Sequence, residues 1–93
     1  MADPVRTILA HSPELMVVSF VFEKGDEGAP HSHPHVQSTY VKSGRFAFHV
    51  AGETREVGPG DSFVIPSNAV HGCTCLAAGE LIDNFTPRRD DFL

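Results

Sequence analysis

Turn-forming residues interrupt this chain about every eight to twelve positions, a spacing that leaves room for short strands and little else. The breaks fall at Lys24-Gly25-Asp26, Ser43-Gly44, Ala51-Gly52-Glu53, Gly58-Pro59-Gly60-Asp61, Pro66-Ser67-Asn68 and Ala78-Gly79-Glu80. Between them lie segments rich in Val, Ile, Phe and Thr: Leu15–Glu23, Val36–Lys42, Phe46–Val50, Ser62–Ile65, Cys73–Leu76 and Leu81–Phe85. No window sustains the 3.6-residue apolar period of a helix. Short strands joined by Gly/Pro turns predict an all-β sandwich or barrel.

Alternation within the strands assigns their faces. Phe46, Phe48 and Val50 share one face, read as core, while Arg45, Ala47 and His49 share the other. His49 is therefore expected at the surface, as is His11, which reads as part of a turn beside Ser12-Pro13. Leu81, Asp83 and Phe85 share a face that looks inward. A carboxylate between two apolar side chains is costly to bury without a partner, which makes Asp83 the most informative acid in the sequence.

The 93 residues suit a single domain, 1–93, near the lower limit of independent folding. A bound metal or a partner subunit would make up for a thin core, and both are expected. No apolar run approaches the roughly 20 residues of a membrane span. Met1 to Ala10 carries neither a basic start nor an apolar stretch of the secretory kind. A net charge of −5 argues against nucleic acid, whose phosphates need a clustered basic face. Cys73 and Cys75 lie two apart on an expected strand and point to one face, poor geometry for a disulfide. Buried, reduced thiols in a cytoplasmic protein are the simple reading.

Chemistry concentrates in Pro30-His31-Ser32-His33-Pro34-His35-Val36-Gln37. Histidines at i and i+2 of a strand present both imidazoles to one face, which suits chelation of one ion, and Gln37 returns to that face four residues on. His71, beyond a strand and a Pro-containing turn, supplies a fourth ligand from elsewhere. Strict alternation would also aim His35 inward. Pro34 removes a backbone donor and favours a bulge that turns His35 away, so His35 stays outside the ligand set.

These residues resemble the cupin family. Its first motif is Gly, five residues, His-x-His, three or four residues, Glu, six residues, Gly; Gly25, His31, His33, Gln37 and Gly44 fall on it, with Gln37 in place of Glu. Its second motif is Gly, five residues, Pro-x-Gly, two residues, His, three residues, Asn; Gly60, Pro66 and His71 match, with Asn68 for the Gly and Cys75 for the Asn. The resemblance implies a small cupin fold, a double-stranded β-helix or jelly-roll barrel, with one divalent metal on His31, His33, Gln37 and His71. Imidazole and amide ligands suit Ni or Zn first, with Fe, Mn and Co open. Family habit and exposed sheet edges imply a homodimer.

A narrower resemblance, carried by His-Ser-His-Pro-His, the Gln ligand and the stretch Leu81–Leu93, is to the pectin-degradation cupins of the KdgF type. Those proteins are implicated in converting 4,5-unsaturated monouronates from pectin or alginate into the open-chain keto form, through an Asp, a Phe two residues on and an Arg four beyond it. Asp83, Phe85 and Arg89 satisfy that spacing. The resemblance implies a small anionic sugar as substrate, Asp83 as proton carrier, Arg89 as carboxylate anchor and Phe85 against the sugar ring. Arg88-Arg89-Asp90-Asp91 also reads as a solvated charged tail, and Phe85 as plain core. Two other uses of the fold stay open: a metal-bearing sugar-acid binding module without turnover, and an iron-dependent dioxygenase.

Overall fold

The computed structural model describes residues 3–93. Seven strands form: β1 (Val5–Ser12), β2 (Leu15–Phe22), β3 (Glu27–His31), β4 (Val36–Val50), β5 (Glu53–Val57), β6 (Ser62–Ile65) and β7 (His71–Thr86). Among the described residues the only helix is a short 3₁₀ turn at Asp90–Phe92, and none is long and apolar enough to cross a membrane. The strands run β1-β2-β7-β4-β5 in one sheet, with β3 also paired to β7 and β6 to β4, all antiparallel. This is the all-β jelly-roll barrel expected from the sequence.

Two long strands organise the barrel. β4 and β7 pair along most of their length, from Val36 opposite Thr86 to Val50 opposite His71. Ser43-Gly44 and Ala78-Gly79-Glu80, read from the sequence as turns, are instead irregularities inside these strands. The register shifts between Val41 and Phe46, and Gly44 adopts a left-handed φ of 82°. A Cβ on Gly44 would lie 2.5 Å from the Ala77 carbonyl oxygen, so the two backbones approach where only glycine fits. The bulge also changes parity: Gln37, Thr39 and Val41 face inward before it, Phe46 and Phe48 after it. Each of these strands had been read as two shorter ones.

β1, β3 and β5 are additions to the expected set. His11 lies on β1 opposite Met16, exposed as expected but not in a turn. The assigned core face holds: Phe46 and Phe48 are buried with Phe22, Val41, Val57, Ile65 and Leu81. Cys73 and Cys75 are free thiols in the same cluster, and burial pushes the Cys73 thiol up to about 12. Phe46 is fully buried, its ring 5.1 Å from that of Phe22 in an edge-on arrangement. Phe46→Ala is expected to cost about 3–5 kcal/mol, read as a fall in the urea midpoint with an unchanged slope. A second cluster of Met16, Val18 and Phe85 fills the end of the barrel closed by Phe92.

Candidate metal centre

His31 ends β3, His33 lies in the irregular link to β4, and His71 opens β7. The two motif histidines therefore do not share a strand, as their i, i+2 spacing had suggested; the link after His31 still brings the His33 ring back to those of His31 and His71. Pairing does the rest, because His31 sits directly opposite His71 in the β3–β7 ladder. Gly72 permits that approach: a Cβ there would fall 2.7 Å from the Gly28 carbonyl oxygen.

All three rings are aimed by the main chain. Nδ1 of His31 lies 2.8 Å from the Ala29 carbonyl oxygen, Nδ1 of His33 3.0 Å from that of His35, and Nδ1 of His71 3.0 Å from that of Ala69. A carbonyl only accepts, so each Nδ1 carries the ring proton and each Nε2 keeps a lone pair. The ligand atoms of the triad lie within 4.8 Å of one another, a group that can hold a metal ion. Burial lowers His33, and burial with the neighbouring His31 and His33 lowers His71 to about 4. Both rings are therefore neutral at pH 7 and offer nitrogen without displacing a proton.

Two further observations test the fit. The buried Nε2 of His71 has no hydrogen-bond partner. The Oε1 of Gln37, from β4, stands 3.0 Å from His33 Nε2, an oxygen acceptor facing a nitrogen whose proton is on the far side of the ring. Lone pairs converging in a buried space without a proton between them suit a cation. His35 lies outside the triad; its ring centroid is 5.5 Å from that of His33.

The cavity at this site, about 540 Å³, also receives Asp83, Phe85 and Arg89. Asp83 is 6 % exposed, and burial pushes its carboxyl up to about 7 against hydrogen bonds from Thr39 and Gln37 and the charge of Arg89. The Thr39 hydroxyl donates to Asp83 Oδ1 at 2.6 Å, and Gln37 Nε2 donates to Thr39 Oγ1 at 3.0 Å. Asp83, Thr39, Gln37 and His33 are thus linked side chain to side chain. Phe85 is both core and wall: it is 1 % exposed and its ring stands 5.6 Å from His33.

Arg89 does not trail into solvent. Its side chain is 12 % exposed, with the guanidinium 5.2 Å from the Phe85 ring and 4.1 Å from the Phe92 ring. Asp91 holds it through Nε at 3.1 Å and Nη2 at 2.8 Å. Thr39, behind the cavity, and Arg6 and Phe92, among the residues lining it, were not picked out from the sequence. Thr39 shares the inward parity of Gln37, a signal available but unused; Arg6, 4.0 Å over Phe92, and Phe92 itself come from opposite ends of the chain and give no local signal.

Comparison with known proteins identifies the family. The family described as Cupin domain matches residues 18–82, more than half the chain. The pectin degradation protein KdgF of Dickeya dadantii (strain 3937) is 42 % identical over 90 residues, covering 95 % of this chain and 82 % of that protein. The structure of KdgF from Halomonas sp. superposes with a TM-score of 0.90 at 46 % identity, covering 95 % of this chain and 82 % of the other. An RmlC-like cupin from Shewanella frigidimarina NCIMB 400 superposes at 0.92 with 43 % identity, covering 95 % and 79 %. The chain belongs to the cupin family.

Proposed function

We propose that this protein is a metal-dependent isomerase that opens the ring of 4,5-unsaturated monouronates released in pectin or alginate breakdown. The observation that carries the reading is a buried carboxyl, Asp83, in the same cavity as His31 and His71 of the converging imidazole triad and as Gln37. The likeness to a protein named for pectin degradation supports the choice of a sugar acid as substrate.

His31, His33 and His71, with the Gln37 oxygen, would hold one divalent ion, Ni or Zn first. Such an ion is a Lewis acid that stabilises negative charge developing on oxygen. Gln37 keeps the donor set neutral, so the cation's charge is not reduced as a Glu ligand would reduce it. Asp83 takes the proton of the anomeric hydroxyl as the bond from C1 to the ring oxygen breaks. The electron pair stays on the former ring oxygen as an enolate, and the proton is returned to C4, leaving an aldehyde and a ketone. A carboxyl near 7 holds both protonation forms at neutral pH, which suits taking and giving one proton. Phe85 lays an aromatic surface along the cavity wall, and Arg89 meets the substrate carboxylate with the N–H groups that Asp91 leaves free.

The direct test is the conjugated ultraviolet absorbance of an unsaturated galacturonate, mixed with protein loaded with Ni²⁺ or Zn²⁺. Decay faster than the spontaneous rate is expected; an unchanged rate ends the proposal. Arg89→Lys keeps the charge and loses the fork, so KM should rise by about 10-fold or more with kcat little changed.

The bidentate hold of Asp91 on Arg89 favours a second reading, a sugar-acid binding module without turnover. Saturable binding in calorimetry, with no loss of absorbance, would select it. A homodimer is also proposed: among the described residues β1 pairs only with β2, and its positions Val5 and Leu9 are 66 % and 55 % exposed.

A further inference from the structure

We infer that Thr39 is a positioning residue that turns the carboxamide oxygen of Gln37 toward the cation site. The inference rests on the metal reading above and supplies a physical reason for the amide to face one way. A carboxamide can present oxygen or NH₂ to its surroundings, and only the oxygen has a lone pair for a cation.

Gln37 and Thr39 lie two apart on β4, on its inward face, and both are buried. The Thr39 hydroxyl has a single proton, and it goes to Asp83 Oδ1 at 2.6 Å. Toward Gln37 the hydroxyl then offers only lone pairs, which the amide satisfies by donating from Nε2 at 3.0 Å. The amide oxygen is left at the opposite end, 3.0 Å from His33 Nε2 and on the side of the triad. A reversed amide would set two acceptor oxygens against each other between two buried side chains, a mismatch that buried polar groups avoid. Asp83 reinforces this alignment: its carboxylate takes the Thr39 proton, which leaves Thr39 only lone pairs toward Gln37, and it also attracts the Gln37 amide N–H. Neither Gln37 nor Asp83 need touch the other's substrate or ion for this alignment to hold.

The test compares metal affinity, by chelator competition with Ni²⁺ and with Zn²⁺, in wild type, Thr39→Val, Thr39→Ser, Gln37→Ala and the double variant Gln37→Ala/Thr39→Val. Val keeps the branched shape without the hydroxyl, and Ser keeps the hydroxyl without the methyl. Thr39→Val should bind about 10- to 100-fold more weakly, as expected for loss of a group that orients a ligand. Thr39→Ser should stay within about twofold of wild type, and Thr39→Val should add nothing to Gln37→Ala. The Co²⁺-loaded Thr39→Val protein should take on the visible spectrum of Co²⁺-loaded Gln37→Ala. Wild-type affinity in Thr39→Val, an equal loss on the Gln37→Ala background, or a Thr39→Ser protein as weak as Thr39→Val would each overturn the inference. If Thr39→Val does not fold, Thr39→Ala takes its place in the same cycle. A wild-type protein that binds no stoichiometric ion refutes the metal reading itself, an outcome separate from all of these.

Discussion

Asp83→Asn should lower turnover of an unsaturated uronate by about 100- to 10,000-fold, the range associated with loss of a positioned acid–base group. Asn has nearly the shape of Asp and still accepts the Thr39 hydroxyl proton, so the barrel and its donor set should persist. Its amide does not take up or release a proton at neutral pH. Stopped-flow absorbance gives kcat, and metal analysis of the same sample separates loss of chemistry from loss of the ion. Full metal content with near-wild-type kcat would remove Asp83 from the reaction and return it to the role of a buried structural acid.

The second large effect concerns the ion itself. A chain of this size has little stability to spare, so a ligand that binds only the folded state is a large addition. At a free metal concentration 100 times the dissociation constant the gain is about 2.7 kcal/mol. For a domain under 100 residues that corresponds to a Tm rise of roughly 10–20 °C. His71→Ala should abolish most of this shift, because it deletes the nitrogen that β7 contributes and leaves only two imidazoles, His31 and His33, beside the Gln37 oxygen. Differential scanning calorimetry of wild type and variant, each with and without Ni²⁺ or Zn²⁺, reads it directly. A wild type whose Tm is indifferent to metal, or a His71→Ala protein that keeps the full rise, would count against the proposed centre.

How far the sequence disclosed this arrangement depended on whether burial had left its mark. Ser62–Ile65 was read with its observed limits, and the inward row Leu81, Asp83, Phe85 is buried throughout. In such places one face meets the core and the other does not, so alternation follows. β1 is an outer strand with one partly buried residue, Ile8, and nothing in packing imposes a period on it. β3 contains Gly28 and Pro30, residues that signal a break but are tolerated at a sheet edge. β5 buries only Val57. Gly44 and Gly79 look like turn residues because glycine marks either a reversal or a close backbone approach, and single-chain reading cannot separate the two.

The candidate site was legible where spacing encodes it and silent where it depends on pairing. His31, His33, Gln37 and His71 follow a motif, and the carboxyl at Asp83 stands out by parity. The link from Asp83 through Thr39 to Gln37 depends on a contact between Thr39 and Asp83, 44 positions apart, and only the β4–β7 register, Thr39 opposite Asp83, reveals it. Phe92 and Arg6 meet for a similar reason: their contact is set by how the two ends of the chain cover the barrel mouth.

Peptide carbonyls, rather than neighbouring side chains, tether all three imidazoles at their outer nitrogens. The chemical identity of Ala29, His35 and Ala69 is therefore immaterial to that tether, provided the loop path is kept. A lineage built this way can exchange the residues that recognise one small molecule for those that recognise another while retaining its inorganic centre. Recognition and ion retention then evolve as separate traits within one small barrel.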